Sequence, residues 1–95
     1  MLTHAVFFKL KDKSRGTLEK VKNELLALKE QIPLIRSIEV GIDILQTERS
    51  FDVVLYSKFD SLEDMQAYQV HPEHVKFVEY IETVKDIIYS VDFES

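Results

Sequence analysis

Two periodicities alternate along these 95 residues, and their order is the tightest constraint on the fold. From Leu2 to Leu10 the period is two. Leu2, His4, Val6, Phe8 and Leu10 share one side, while Thr3, Ala5, Phe7 and Lys9 share the other, as in a strand with one strongly apolar face. Leu18, Val21, Leu25, Leu28 and Ile32 then recur at helical spacing, with Glu19, Lys20, Lys22, Asn23, Glu24 and Lys29 turned away. Ser14 or Thr17 suits the N-cap of that helix, and Pro33 stops it. Ile38, Val40, Ile42 and Ile44 mark a second strand. A third follows, with Phe51, Val53, Leu55 and Phe59 on one side and Val54 and Tyr56 on the other. Asp60-Ser61 reads as a cap for a short helical stripe of Leu62, Met65 and Tyr68. Pro72 interrupts that stripe and, because proline suits a first helical turn, opens a new segment carrying Phe77, Val78, Ile81 and Val84. The end of the chain alternates again, Ile87, Tyr89, Val91 and Phe93 against Ile88, Ser90 and Asp92.

The order βαββαβ with short, right-handed connections predicts an α+β fold. It is a ferredoxin-like sandwich, a four-stranded antiparallel sheet with two helices on one face. A chain of this length fits one domain over residues 1–95. The sheet face away from the helices is expected to carry Ala5, Phe7, Val54, Tyr56 and Ile88, more apolar surface than a solvated face shows. No further element is available to cover it, so a second copy of the same sheet is the simplest cover and a homodimer is expected.

Composition narrows the function classes. A 45% hydrophobic content excludes a disordered chain. The absence of cysteine removes disulfide scaffolds, thiolate metal sites and thiol catalysis, and it fits a reducing cytoplasm. Net charge −5 with mixed signs argues against a nucleic-acid partner. Lys9, Lys11, Lys13 and Arg15 cluster, but they read as a solvated loop. The interrupted apolar run at the N-terminus is too short for a signal peptide or a membrane span.

The stretch YQVHPEHVKFVEYI, Tyr68 to Ile81, holds two of the three histidines. His74 precedes Phe77 by three and Val78 by four, which sets it on the stripe facing the sheet. Tyr68 shares a stripe with Met65, and His4 faces the same layer. Two readings of these groups stand side by side. One is a core histidine and a half-buried tyrosine satisfied by ordinary hydrogen bonds. The other is a cleft with an imidazole that titrates near neutral pH and a phenol that donates to a bound molecule, suited to acid–base chemistry. His71 is expected to be an exposed capping or turn residue. HPEH makes no metal site: the histidines are three apart, no third ligand is near, and Pro72 disrupts the helix that would present them.

The first strand with its H-x-V-x-F-K-hydrophobic pattern, IP closing helix one, IEVGID, FDVVLYSKFDSLEDMQAYQVHPEHVKF and the terminal VDFE together resemble the stress-responsive dimeric α/β-barrel (Dabb) family along essentially the whole chain. The resemblance implies two sheets packed face to face into a dimeric barrel. Family members include plant stress proteins without an assigned reaction and a polyketide cyclase that works without a cofactor. By this resemblance the cyclase's catalytic histidine falls on His74, its supporting tyrosine on Tyr68 and a first-strand histidine on His4. A helix-one tyrosine and a strand-three histidine are replaced by Leu25 and Val53, so the resemblance carries a pocket and a Tyr–His pair rather than a polyketide substrate.

The expectation is a cytoplasmic homodimer that binds a small apolar or aromatic molecule between helices and sheet, with no cofactor, metal, nucleic-acid or membrane partner. His4, Val6, Leu25, Val53, Leu55, Phe77 and Val78 are the expected ligand contacts. The alternatives are a cofactor-free cyclase or lyase using His74 as base or acid and Tyr68 as donor, and a purely structural dimer with a filled core.

Overall fold

The structure, a computed structural model, describes residues 1–95. Strands β1 (Leu2–Leu10), β2 (Ser37–Ile42), β3 (Val53–Phe59) and β4 (Lys85–Glu94) form one sheet in the order β2-β3-β1-β4, every neighbouring pair antiparallel. Helices α1 (Arg15–Gln31), α2 (Leu62–Gln69) and α3 (Pro72–Ile81) complete the element order. This is the expected ferredoxin-like topology. The expected second helix is two segments, α2 and α3, because Pro72 has no N–H to continue α2 and its ring suits a first turn instead.

Side-chain chemistry places each helix. Ser14 caps α1 by accepting from the Thr17 N–H at 3.4 Å, and Asp12 supports the cap by accepting from the Ser14 N–H at 2.9 Å and the Thr17 hydroxyl at 2.6 Å. The α1 stripe of Leu18, Val21, Leu25 and Leu28, extended by Ile32, is buried in one core with Leu2, Val6, Phe8, Leu10, Val53, Leu55 and Phe59 from the sheet. From the other helices Met65, Tyr68, Phe77 and Ile81 join that core.

The register decides which side each strand residue faces. Val53, Leu55, Ser57 and Phe59 stand opposite Phe8, Val6, His4 and Leu2, so all of them face the helices. Ile88 pairs with Phe8, Ser90 with Val6 and Asp92 with His4. Ile88 is therefore on the helix side, contrary to the expectation that it belongs to the open face. Both alternating sets of β4 contain isoleucine, so alternation alone does not say which set turns inward. The open face instead receives Ile87, Tyr89, Val91 and Phe93, beside Phe7, Ala5 and Tyr56.

Two further expectations about the strands are corrected. The second strand ends at Ile42, and Ile44 is 95% exposed in the following loop. Asp43 accepts from the Gln46 N–H at 2.6 Å, and Gln46 has a φ of 55°, so a turn forms where the alternation would have continued. Phe51 precedes β3 rather than lying on its inner side. Its ring meets Phe7 and Tyr89, with centroids 6.1 and 5.8 Å apart, on the open face.

Candidate functional site

The break between α2 and α3 leaves two backbone groups without helical partners, and the two neighbouring histidines take one each. The Glu73 N–H donates to His71 Nδ1 at 3.1 Å, making His71 the N-cap of α3. The Gln69 carbonyl accepts from His74 Nδ1 at 2.9 Å. His71 is half-buried rather than exposed, because capping draws its ring against the helix start. The doublet is thus explained by the chain break, and only His74 is carried inward by it.

His74 lies beside Tyr68, ring centroids 4.5 Å apart, and Tyr68 in turn meets His4 edge-on at 6.1 Å. On the sheet His4 donates through Nδ1 to the Asp92 carboxylate. His4, Tyr68 and His74 border a cavity of about 200 Å3 between the helices and the sheet. Of the residues expected to form a site, His4, Val6, Leu25, Leu55, Tyr68, His74, Phe77 and Val78 come together around it. Val53 does not: it sits opposite Phe8 in the closed core and lies outside this lining. Phe8, Ile81, Glu82, Ile88 and Ser90 also line the cavity.

The polar groups differ in their electrostatics. Tyr68 is almost wholly buried, and burial raises the pKa of its phenol, so it keeps its proton. Its hydroxyl has no protein partner. No fully buried side-chain oxygen or nitrogen lacks one, so the hydroxyl keeps some accessible surface, on a residue that lines the cavity. Burial also lowers the pKa of His74; the Gln69 carbonyl opposes this, and proximity to His4 and His71 adds to it. A neutral imidazole beside a protonated phenol offers one acceptor and one donor to a bound molecule. No group of three or more His, Asp or Glu side chains is arranged to hold a metal ion.

Sequence reading missed Asp92, because alternation alone did not show that its set turns inward. Asp92 alternates with Ile88 and Ser90, and a carboxylate on the inner side of a strand needs a partner. Which partner depends on the β1–β4 register, including the irregularity between Lys9 and Leu10 that shifts it.

With this geometry in hand, comparison with known proteins gives a consistent answer. Residues 2–95 match the Stress responsive A/B Barrel Domain family, Dabb. The stress-response A/B barrel domain-containing protein DABB1 of Arabidopsis thaliana is 33% identical over 98% of this chain, which spans 46% of that longer protein, about half its length. Among solved structures, a dimeric protein of unknown function with a ferredoxin-like fold from Bacteroides fragilis is 34% identical, with a TM-score of 0.82 over 99% of this chain and 95% of its own. A hydroxynitrile lyase from Passiflora edulis has a TM-score of 0.84 at 18% identity, over 97% of this chain and 90% of its own, a likeness of fold alone. The chain belongs to the stress-responsive A/B barrel domain family.

Proposed function

We propose that this chain forms a two-fold homodimer whose subunits each bind a small, largely apolar molecule in the cavity between helices and sheet. The observation that carries the reading is the cavity itself, about 200 Å3 with apolar walls and the polar tips of His4, Tyr68 and His74. That pattern, mostly hydrophobic lining with a few convergent polar groups, is typical of small-molecule sites. It weighs against a purely structural dimer, whose core would be filled. The dimeric state is supported by the Bacteroides fragilis relative, described as dimeric, and by the uncovered apolar sheet face. A cytoplasmic setting fits the cysteine-free composition. No helix is long and apolar enough to cross a membrane.

The Tyr68–His74 contact supports a second reading, a cofactor-free acid–base enzyme. A neutral His74 would take a proton at Nε2 while the Tyr68 hydroxyl stabilises the charge that develops on a carbonyl or alkoxide oxygen. Binding of small aromatic probes, followed by calorimetry with the wild-type protein and His74→Ala, tests the first reading. Loss of binding with an unchanged circular dichroism spectrum is expected. Unaltered binding would remove His74 from the site. Turnover of a bound probe, absent in His74→Ala, would select the enzyme.

A further inference from the structure

Two imidazoles border the cavity, and each has its tautomer fixed from behind. A backbone carbonyl only accepts, so His74 Nδ1 must donate to Gln69 at 2.9 Å. An ionised carboxylate also only accepts, so His4 Nδ1 must donate to Asp92. In their neutral forms both rings are left with a lone pair on Nε2. Neither Nε2 has a partner in the protein, yet no fully buried side-chain nitrogen is orphaned. Both nitrogens therefore reach accessible surface, on rings that line the cavity.

We infer that Asp92 is a positioning residue which, by holding His4 in its Nδ1–H form, makes the cavity selective for neutral hydroxyl donors, phenols or alcohols on an apolar body. A hydroxyl group satisfies an Nε2 lone pair and can accept in return from Tyr68. An ether of the same size can accept from Tyr68 but brings no proton, so the Nε2 lone pairs stay unsatisfied in an apolar chamber. A carboxylate fares worse, since it loses its hydration opposite lone pairs and with Glu82 at the cavity wall. Asp92 itself does not line the cavity and acts only through His4. Its side chain keeps 32% exposure, so substitution leaves no cavity in the core.

This inference rests on the cavity being a ligand site, and three probes separate the two claims. The isomers 4-ethylphenol and 4-methylanisole, together with 4-methylbenzoate, are titrated into the intact protein by calorimetry at mildly alkaline pH, where unperturbed imidazoles are neutral. The phenol should bind about tenfold more tightly than the ether, as one added hydrogen bond provides, and the benzoate should bind most weakly. Nitrogen NMR of the histidines should show His4 with a protonated Nδ1 and an unprotonated Nε2. In Asp92→Leu that tautomer should give way to a mixture, and the preference for phenol over ether should shrink several-fold while ether binding persists. If no probe binds, the ligand-site reading fails and this inference fails with it. Equal binding of phenol and ether leaves the ligand site standing and overturns the donor selectivity. A preference untouched in Asp92→Leu, or a protonated His4 Nε2 in the wild-type protein, overturns the role of Asp92.

Discussion

Opposing influences act on the His74 imidazole: burial and the nearby His4 and His71 disfavour its charged form, while the Gln69 carbonyl favours it. Burial is the largest, so the folded pKa lies below the ordinary 6.5. The sign of the resulting stability term follows from linkage. Between the folded and unfolded pKa the unfolded chain binds more protons, so stability rises with pH there. The contribution is fully present above about 6.5, fades as pH falls through that value, and is gone below the folded pKa. NMR titration should find a depressed His74 midpoint, and His74→Gln should flatten the fall in stability on the acid side. A His74 midpoint at or above 6.5 would put its ring in water and remove it from the cavity wall. Its place was legible because Phe77 and Val78 follow at helical spacing on one element. The pairing of His4 with Asp92 joins residues 88 positions apart, and no local pattern encodes that.

The α2–α3 junction can be tested separately from the site it supports. His71→Ala removes an N-cap and should cost about 1 kcal/mol in urea denaturation, whereas His71→Asp, which caps well, should restore it. Equal losses for both would mean that the His71 ring contributes by packing instead of capping. In α1, Leu28 is 2% exposed at the centre of the buried stripe. Leu28→Ala should therefore cost about 2–5 kcal/mol, and a loss within about 0.5 kcal/mol, as at surface sites, would refute the assigned helix face. Helices and caps were legible because both depend on residues three or four apart. The β2 terminus was not. Ile44 continues the apolar alternation perfectly, but the Asp43 side chain captures the Gln46 N–H and turns the chain away. A local side-chain hydrogen bond outcompeted a further sheet pair.

The proposed dimer turns on the open sheet face. In the isolated subunit Tyr89 is 63% exposed, Val91 52% and Phe93 41%, all on that face with Phe7, Phe51 and Tyr56 around them. So contiguous an apolar surface is unusual on a monomer, and the misplaced Ile88 had made it look smaller than it is. Covering it by an isologous contact of two sheets is the proposed arrangement, and Tyr89→Lys tests it with little ambiguity. On a lone subunit this change would replace one largely exposed side chain by another and should alter stability by no more than about 0.5 kcal/mol. In a face-to-face dimer it sets two lysines against apolar neighbours near the two-fold axis or within the sheet contact, where desolvation of the charge opposes association. Sedimentation equilibrium should give twice the chain mass for the wild-type protein at micromolar concentration and a concentration-dependent mixture for Tyr89→Lys. Because folding and association are linked, the melting temperature of the variant should fall and rise again with protein concentration. A wild-type protein that sediments as a monomer, or a Tyr89→Lys variant with unchanged mass and melting temperature, would leave the sheet face uncovered by a second copy and sink the dimer.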